Sequence, residues 1–266
     1  MEIEIKPEDY EIIIEKPTFI GILLSKITVF SEKYGGWKAI TGLSVFFYLF
    51  IFLLPMPQMS FAISLPSGYE VLTLWGSNVA LFISSFFPYD YYRWITANFL
   101  HFGIFHLGFN VWGAYVLGGL LEKFWNKRVV FILFLLSGIG ANIVSFLIVK
   151  GNSAGASGGV FGLMGALLAF FLWNKNLAPQ NRLYMMKQIG FIFLLNLLLG
   201  LIVPNIDLSG HIGGFVMGFL LGGLYQKASG KLYFERFLTP LWIFCIFLVA
   251  SAAFWATFNF IVRFYL

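Results

Sequence analysis

Long apolar stretches constrain this chain more than any other feature, because a helix of roughly 20 apolar residues can cross a lipid bilayer. Only 11% of the 266 residues are charged and the mean hydropathy is +0.85, whereas soluble domains are about 25% charged. The sequence therefore predicts an all-α membrane protein with seven spans, at about residues 37–56, 102–121, 129–149, 157–173, 188–203, 209–225 and 237–260.

The positions of the basic residues predict how the chain is oriented in the membrane. With the N-terminus inside, only Arg93, Lys150 and Arg263 of the 17 Lys and Arg residues fall on the outer side. Basic residues favour cytoplasmic loops, so we expect an N-in, C-out, multi-pass protein. The net charge of +5 is a topology signal and indicates no nucleic-acid partner.

Two segments outside the predicted spans have structural predictions of their own. Residues 1–36 form a predicted cytoplasmic tail with an amphipathic element at about 11–28, and their acidity is unlike a targeting presequence, which favours a bacterial inner membrane. Residues 57–98 form the longest stretch that is predicted to be non-helical. This apolar, aromatic-rich first loop is expected to lie partly in the outer leaflet, packed against the bundle. An ordinary extracytoplasmic loop with an amphipathic helix is the alternative. The lone Cys245 is expected to be a packing residue.

Glycines recur at four-residue spacing in the fourth and sixth spans, at Gly158 and Gly162 and from Gly210 through Gly214 and Gly218 to Gly222. Small residues let membrane helices approach closely. Helix contact is the simplest interpretation, and it would bring the fourth span against the sixth.

Three spans that start from the same predicted side also start with polar residues. His101 and His106 open the second span, Ser157 opens the fourth and His211 opens the sixth. Asn110 lies one turn beyond His106 on the same helix face. Polar groups inside a membrane are costly and usually functional, so one layer with one site is predicted.

Within this layer, Ser157 is the candidate nucleophile because free backbone N–H groups at a helix start can stabilise an oxyanion. A simple helix cap is the alternative. The run 157–173 gives about 25 Å of helix against a core of about 30 Å, so its outer end is expected to be recessed below a water-filled pocket.

His211 is the candidate general base, since neutral imidazole can accept a serine proton and return it to a leaving amine. No acidic residue lies within a span, which favours a Ser–His dyad, with Asp207 as an alternative orienting residue. His106 and Asn110 could donate to the oxyanion, or could simply form interhelical hydrogen bonds.

Taken together, these residues resemble the rhomboid family of intramembrane serine proteases. The family patterns appear, in order, as the pair Tyr92 and Arg93, then His101, His106 and Asn110, then Gly155, Ser157 and Gly158, and finally His211, Gly214 and Gly218. Tyr92 stands where the family usually has Trp, a difference that bears on the anchoring of the first loop and not on the implied chemistry.

The resemblance implies a six-helix rhomboid-like bundle at 37–228, preceded by the tail 1–36 and followed by a connecting segment and seventh membrane helix at 229–266. It implies Ser157 as nucleophile, His211 as base, and an oxyanion hole of His106, Asn110 and the Ser157 backbone N–H. His101 would be structural, Arg93 would brace the first loop, and Phe161 would lie against the imidazole of His211. Gly155, Gly158, Gly214 and Gly218 would support this arrangement.

The function implied is hydrolysis of peptide bonds in or near the membrane helices of single-span proteins, without metal or cofactor. The sequence gives no oligomeric state. One alternative is a catalytically inactive rhomboid-like scaffold, although Ser157 and His211 are both present. A transporter is a further alternative, but its ionisable groups would run toward both membrane faces, whereas here they stop in the outer half.

Overall fold

The computed structural model describes residues 19–53, 72, 75–79, 90–149, 152–204, 206–229 and 232–265. Its helices are α1 (Phe19–Tyr34), α2 (Trp37–Leu53), α3 (Arg93–Thr96), α4 (Ile104–Leu121), α5 (Lys127–Ile148), α6 (Ser157–Trp173), α7 (Pro179–Ile202), α8 (Leu208–Ala228) and α9 (Leu232–Tyr265). A 3₁₀ turn, Ala97–Phe99, follows α3, and α4 is π-helical at Ala114–Gly118. Two short strands, β1 (Asn78–Val79) and β2 (Asn152–Ser153), pair antiparallel.

Within the described residues, five helices are long and apolar enough to cross a membrane, namely α4, α5, α7, α8 and the Phe237–Val262 part of α9. Two shorter apolar helices are Trp37–Ile51 of α2 and α6. Each of the seven predicted spans therefore coincides with an apolar helix, which confirms an all-α membrane protein. The number of crossings and the N-in, C-out direction stay predictions.

The start of α7 was predicted wrongly, because the helix begins at Pro179, nine residues before the expected 188. Proline suits a first helical position, since its fixed φ matches the helix and no N–H is lost. Hydropathy misses this first part because it is charged. Arg182 donates to the carbonyls of Phe171 (2.8 Å) and Leu172 (2.5 Å) at the end of α6, where carbonyls lack helical partners.

The end helices also differ from their predicted bounds. α9 starts at Leu232 and continues through Pro240. α1 reaches Tyr34, beyond the expected element at 11–28, of which residues 11–18 lie outside the described residues. Glu32 attaches α1 to the start of α5, because its carboxylate pairs with Arg128 at 3.1 Å and its carbonyl accepts from Lys127 Nζ at 2.5 Å. The division into tail, core and seventh-helix segment stays a prediction.

The centre of the bundle is α6, in which 13 of 17 residues are buried. α8 lies directly against it, as the glycine spacing predicts. A Cβ added to Gly214 would be 2.1 Å from the Gly158 carbonyl oxygen, and one added to Gly218 would be 1.9 Å from that of Gly162. The two backbones are therefore in contact, which only glycine permits.

Most of the predicted first loop, 57–98, lies outside the described residues. The part that is described was wrongly expected to be non-helical, since it contains α3 and the 3₁₀ turn. Trp75 is buried, with 3% of its surface exposed. The packing expected of this loop against the bundle holds for Trp75, which stacks on Phe260 of α9 with ring centroids 4.6 Å apart.

Candidate active site

The backbone around Ser157 is fixed by its neighbours. Ser157 is the first residue of α6, and the N-cap residue, Ala156, makes no capping hydrogen bond through its side chain. The N–H of Gly155 donates to the Ala97 carbonyl at 2.9 Å. The side chain of Ser157 is half-buried at the end of the bundle where α4, α6 and α8 begin, here called the site end. Ser157 thus has the helix-start position predicted for it.

The imidazole of His211 lies against the first turn of α6. Its ring stacks on Phe161, with centroids 4.2 Å apart and planes 18° apart. Phe161 is one turn after Ser157, so this contact connects His211 to the helix that carries the serine. His211 Nδ1 is buried and has no hydrogen-bond partner among the described residues. No carboxylate among the described residues therefore orients the ring through a hydrogen bond at Nδ1.

His106 and Asn110 approach the Ser157 segment from α4. A Cβ added to Gly155 would be 2.8 Å from His106 Nε2 and 3.8 Å from Asn110 Nδ2. Gly155 has φ +140°, which side chains rarely adopt. Glycine at this position therefore allows the serine segment to lie directly on the histidine.

Hydrogen bonds fix the direction of both polar groups. His106 Nδ1 accepts from the Phe102 N–H at 3.4 Å, so in the neutral ring Nε2 carries the proton and faces Gly155. Asn110 Nδ2 donates one N–H to the His106 carbonyl at 2.9 Å, which leaves its second N–H for another acceptor.

His101 holds the backbone of the serine segment. Its Nδ1 donates to the Phe99 carbonyl at 3.2 Å, and its Nε2 accepts the Ala156 N–H at 3.4 Å. The ring is 4% exposed and meets His106 edge to face at 5.2 Å. Both nitrogens are thus engaged, which fits a structural residue.

A cavity of about 520 Å³ joins these groups. His106, Asn110, Ser157 and His211 all line it, together with apolar side chains such as Phe161 and Met164. The four polar residues come from α4, α6 and α8. They therefore share one layer, as the sequence predicts, and the expected pocket lies beside Ser157.

Arg93 is fully buried and braces the segment that precedes β1. Its Nη1 donates to the Ser77 carbonyl at 3.2 Å, and its Nε lies 3.6 Å from an Asp90 carboxylate oxygen. The guanidinium also lies over the Tyr92 ring, 5.3 Å from its centroid. Tyr92 is itself buried, with 1% exposure.

Asp207 is the N-cap of α8, and its hydrogen bonds go to this helix start and to β2 rather than to His211. It accepts from the Gly210 N–H at 2.9 Å, from Ser209 at 2.7 Å and from Ser153 at 2.9 Å. The last bond ties the start of α8 to β2, four residues before Ser157. Sequence reasoning missed this connection, because no spacing relates Ser153 to Asp207.

The charge on Asp207 should contribute to stability. Burial raises the pKa of its carboxyl, but hydrogen bonds from Ser145, Gly210, Ser209 and Ser153 more than offset this and leave the pKa below its usual value. A carboxyl with a lowered folded-state pKa stabilises the fold above its unfolded pKa, near 3.9. That contribution is lost as the pH falls through the folded-state pKa.

We expect Asp207→Ala to lower the free energy of unfolding at pH 7 by about 1 kcal/mol, because the cap is lost. Asp207→Asn keeps a capping oxygen without the charge, so acidification from pH 6 to 3 should destabilise the wild type more than this variant. Thermal unfolding in one detergent across that range measures both effects. Equal pH profiles for the wild type and Asp207→Asn would contradict the role of the charge.

Comparisons with known proteins agree on one family. The Rhomboid domain model matches residues 88–228. The chain is 32% identical over 207 residues to the rhomboid protease GluP of Bacillus subtilis, covering 75% of this chain and 38% of that protein. It is 36% identical over 153 residues to RHOMBOID-like protein 1 of Arabidopsis thaliana, covering 57% and 39%.

A relative named as inactive also matches. Inactive RHOMBOID-like protein 8 of Arabidopsis thaliana is 34% identical over 129 residues, covering 48% of this chain and 36% of that protein. In these three cases the chain spans about two fifths of the relative's length.

Proposed function

Because the chain belongs to the rhomboid family, whose similar members include a protease, we propose that it hydrolyses peptide bonds in or near the membrane helices of single-span proteins. Ser157 is the nucleophile and His211 the general base. One observation carries the proposal: Ser157 and His211 line a single cavity, with Phe161 of the serine helix stacked on the imidazole.

In the proposed reaction, His211 takes the proton of Ser157 Oγ as that oxygen attacks the substrate carbonyl carbon. Since Nδ1 is buried, Nε2 is assigned as the basic nitrogen. The imidazolium then gives its proton to the departing amine as the peptide bond breaks. A water molecule, activated by the same nitrogen, hydrolyses the acyl-enzyme.

The oxyanion of the tetrahedral intermediate would be stabilised by three donors. These are the Ser157 backbone N–H at the start of α6, His106 Nε2–H and the second N–H of Asn110. His106 donates through Nε2 because its Nδ1 accepts from the Phe102 N–H. Asn110 donates its second N–H because the first is bound to the His106 carbonyl. Donors held in place before charge develops are the most effective kind.

The chemistry is assigned to a dyad because Asp207 is occupied as a helix cap. The stacked ring of Phe161 takes over the orienting role that an acid has in a triad. The uneven distribution of Lys and Arg supports an outward-facing site end, so the cut would lie toward the outer end of the substrate helix.

The test is cleavage of single-span reporter proteins, each with a small residue near the outer end of its helix, co-reconstituted with the protein in liposomes. Wild-type protein should release the expected fragments, and Ser157→Ala should release none. Stable association with reporters but no cleavage by wild type would instead support a catalytically inactive scaffold, and one relative is named as inactive.

Removal of the Phe161 ring should slow the reaction without removing either member of the dyad. We expect Phe161→Ala to lower kcat about tenfold, because a small misplacement of a catalytic group is costly. Phe161→Tyr keeps the stacked ring and should retain most of the rate. Initial rates at saturating reporter measure this, and a wild-type rate for Phe161→Ala would show that stacking does not orient His211.

A further inference from the structure

α9, which contains the seventh predicted span, packs against the bundle along one face. Its buried residues recur at intervals of three or four, which places them on a single face of the helix: Leu238, Trp242, Cys245, Val249, Ala252, Ala256 and Phe260. The opposite face is exposed, with Phe247 64% and Phe254 68% accessible. The buried face lies against α5 and α3.

At the site end this face reaches the first loop through Trp75. The Trp75 indole stacks on Phe260 with planes 20° apart, and meets Phe50 of α2 edge-on at 5.5 Å. Trp75 is 3% and Phe260 6% exposed. Trp75 of the first loop is thus held between α2 and α9.

The backbone that follows Trp75 is fixed in turn by α3. Thr96 Oγ1 donates to the Gly76 carbonyl at 2.7 Å, and Arg93 Nη1 donates to the Ser77 carbonyl at 3.2 Å. α3 is the same short helix against which α9 lies. The contact of α9 with Trp75 and its contact with α3 therefore both act on residues 75–77.

β1 begins at the next residue and extends this path to the nucleophile. Asn78 lies opposite Ser153 of β2, four residues before Ser157. The Gly155 N–H donates to the Ala97 carbonyl, so the segment between β2 and α6 is also attached to the turn that follows α3.

We infer that Phe260 and Trp75 are positioning residues. Through them the end of α9 holds β1 against β2 and so sets the position of the Ser157 segment. For its effect on catalysis, this inference rests on the proposed function. Its structural part, the ordering of residues 152–156 by α9, does not.

The test compares Phe260→Ala with Phe254→Ala, a matched truncation on the exposed face of the same helix. Hydrogen–deuterium exchange of residues 152–156 in detergent measures ordering, and kcat and KM on a reporter measure catalysis. Phe260→Ala should speed exchange at 152–156 and lower kcat, each by about tenfold, with KM little changed. Phe254→Ala should match wild type in all three, and Phe260→Tyr should restore them.

Several results would overturn the inference. Unchanged exchange at 152–156 in Phe260→Ala would do so, as would an equal rise in Phe254→Ala. Should Phe260→Ala not fold, Phe260→Leu keeps an apolar side chain without the ring, and the same comparison then decides. If Phe260→Ala exchanges faster at 152–156 but even the wild type cleaves no reporter, the positioning by α9 is upheld and the proposed function is removed.

Discussion

Ser157→Ala is expected to lower the cleavage rate by roughly 10⁴- to 10⁶-fold, which places it below detection for a membrane reporter. The side chain is half-buried and no capping bond from a side chain starts α6, so the fold should tolerate the loss of one oxygen. Ser229→Ala is the matched control, because Ser229 follows the end of α8 that lies away from the site end. Reporter cleavage and the thermal unfolding midpoint, measured on the same preparations, separate lost chemistry from lost structure.

His211→Ala should be about as inactive as Ser157→Ala, and the double variant no worse than either. Nucleophile and base act as one unit, so their losses are not additive. Substantial activity left in either single variant would contradict the dyad. A double variant much slower than both singles would mean that the two residues act independently.

The largest expected effect on stability comes from the contact between α6 and α8. In Gly218→Ala the new methyl group would be 1.9 Å from the carbonyl oxygen and 2.5 Å from the Cα of Gly162. Backbone atoms at the bundle centre cannot yield as a side-chain tip can, so the helices must separate. We expect a loss of roughly 3 kcal/mol, together with loss of activity, since Ser157 and His211 lie on these two helices.

Gly190→Ala is the matched control for this prediction. Gly190 is also within a membrane helix, α7, but an added Cβ there would meet nothing within 4 Å. That substitution should leave the unfolding midpoint unchanged or slightly raised, because alanine favours helix over glycine. If Gly218→Ala unfolds no earlier than Gly190→Ala, the close contact does not hold the bundle together.

Sequence patterns predicted the spans well because a bilayer imposes one length and one composition on every crossing. The shared layer of His106, Ser157 and His211 followed from the same constraint, since spans that start on one side place their first turns at one depth. The contact of α6 with α8 was predictable because glycine spacing is a local signal. The charged start of α7 lacked any such signal, so its first nine residues were missed.

What the sequence left out depends on contacts between distant segments. Nothing near Asn78 indicates that it pairs with Ser153, and nothing near Trp75 indicates Phe260 as its partner. Hydropathy describes α9 as apolar from Phe237 to Val262, yet only the fold distinguishes its buried face from its exposed one. In our inference these pairings set how firmly the Ser157 segment is held, and the proposed chemistry rests on residue types that the sequence itself shows.

Labelling with a serine-reactive phosphonate tests the central claim most directly, because it asks whether His211 activates Ser157 without needing a substrate. Detergent-solubilised protein would be labelled, and the modified residue identified by mass spectrometry of its peptides. We predict a single adduct on Ser157 in the wild type, and none in Ser157→Ala or His211→Ala at equal folded concentration. A folded wild type that takes no label, or a His211→Ala variant labelled at the wild-type rate, would contradict the Ser157–His211 dyad.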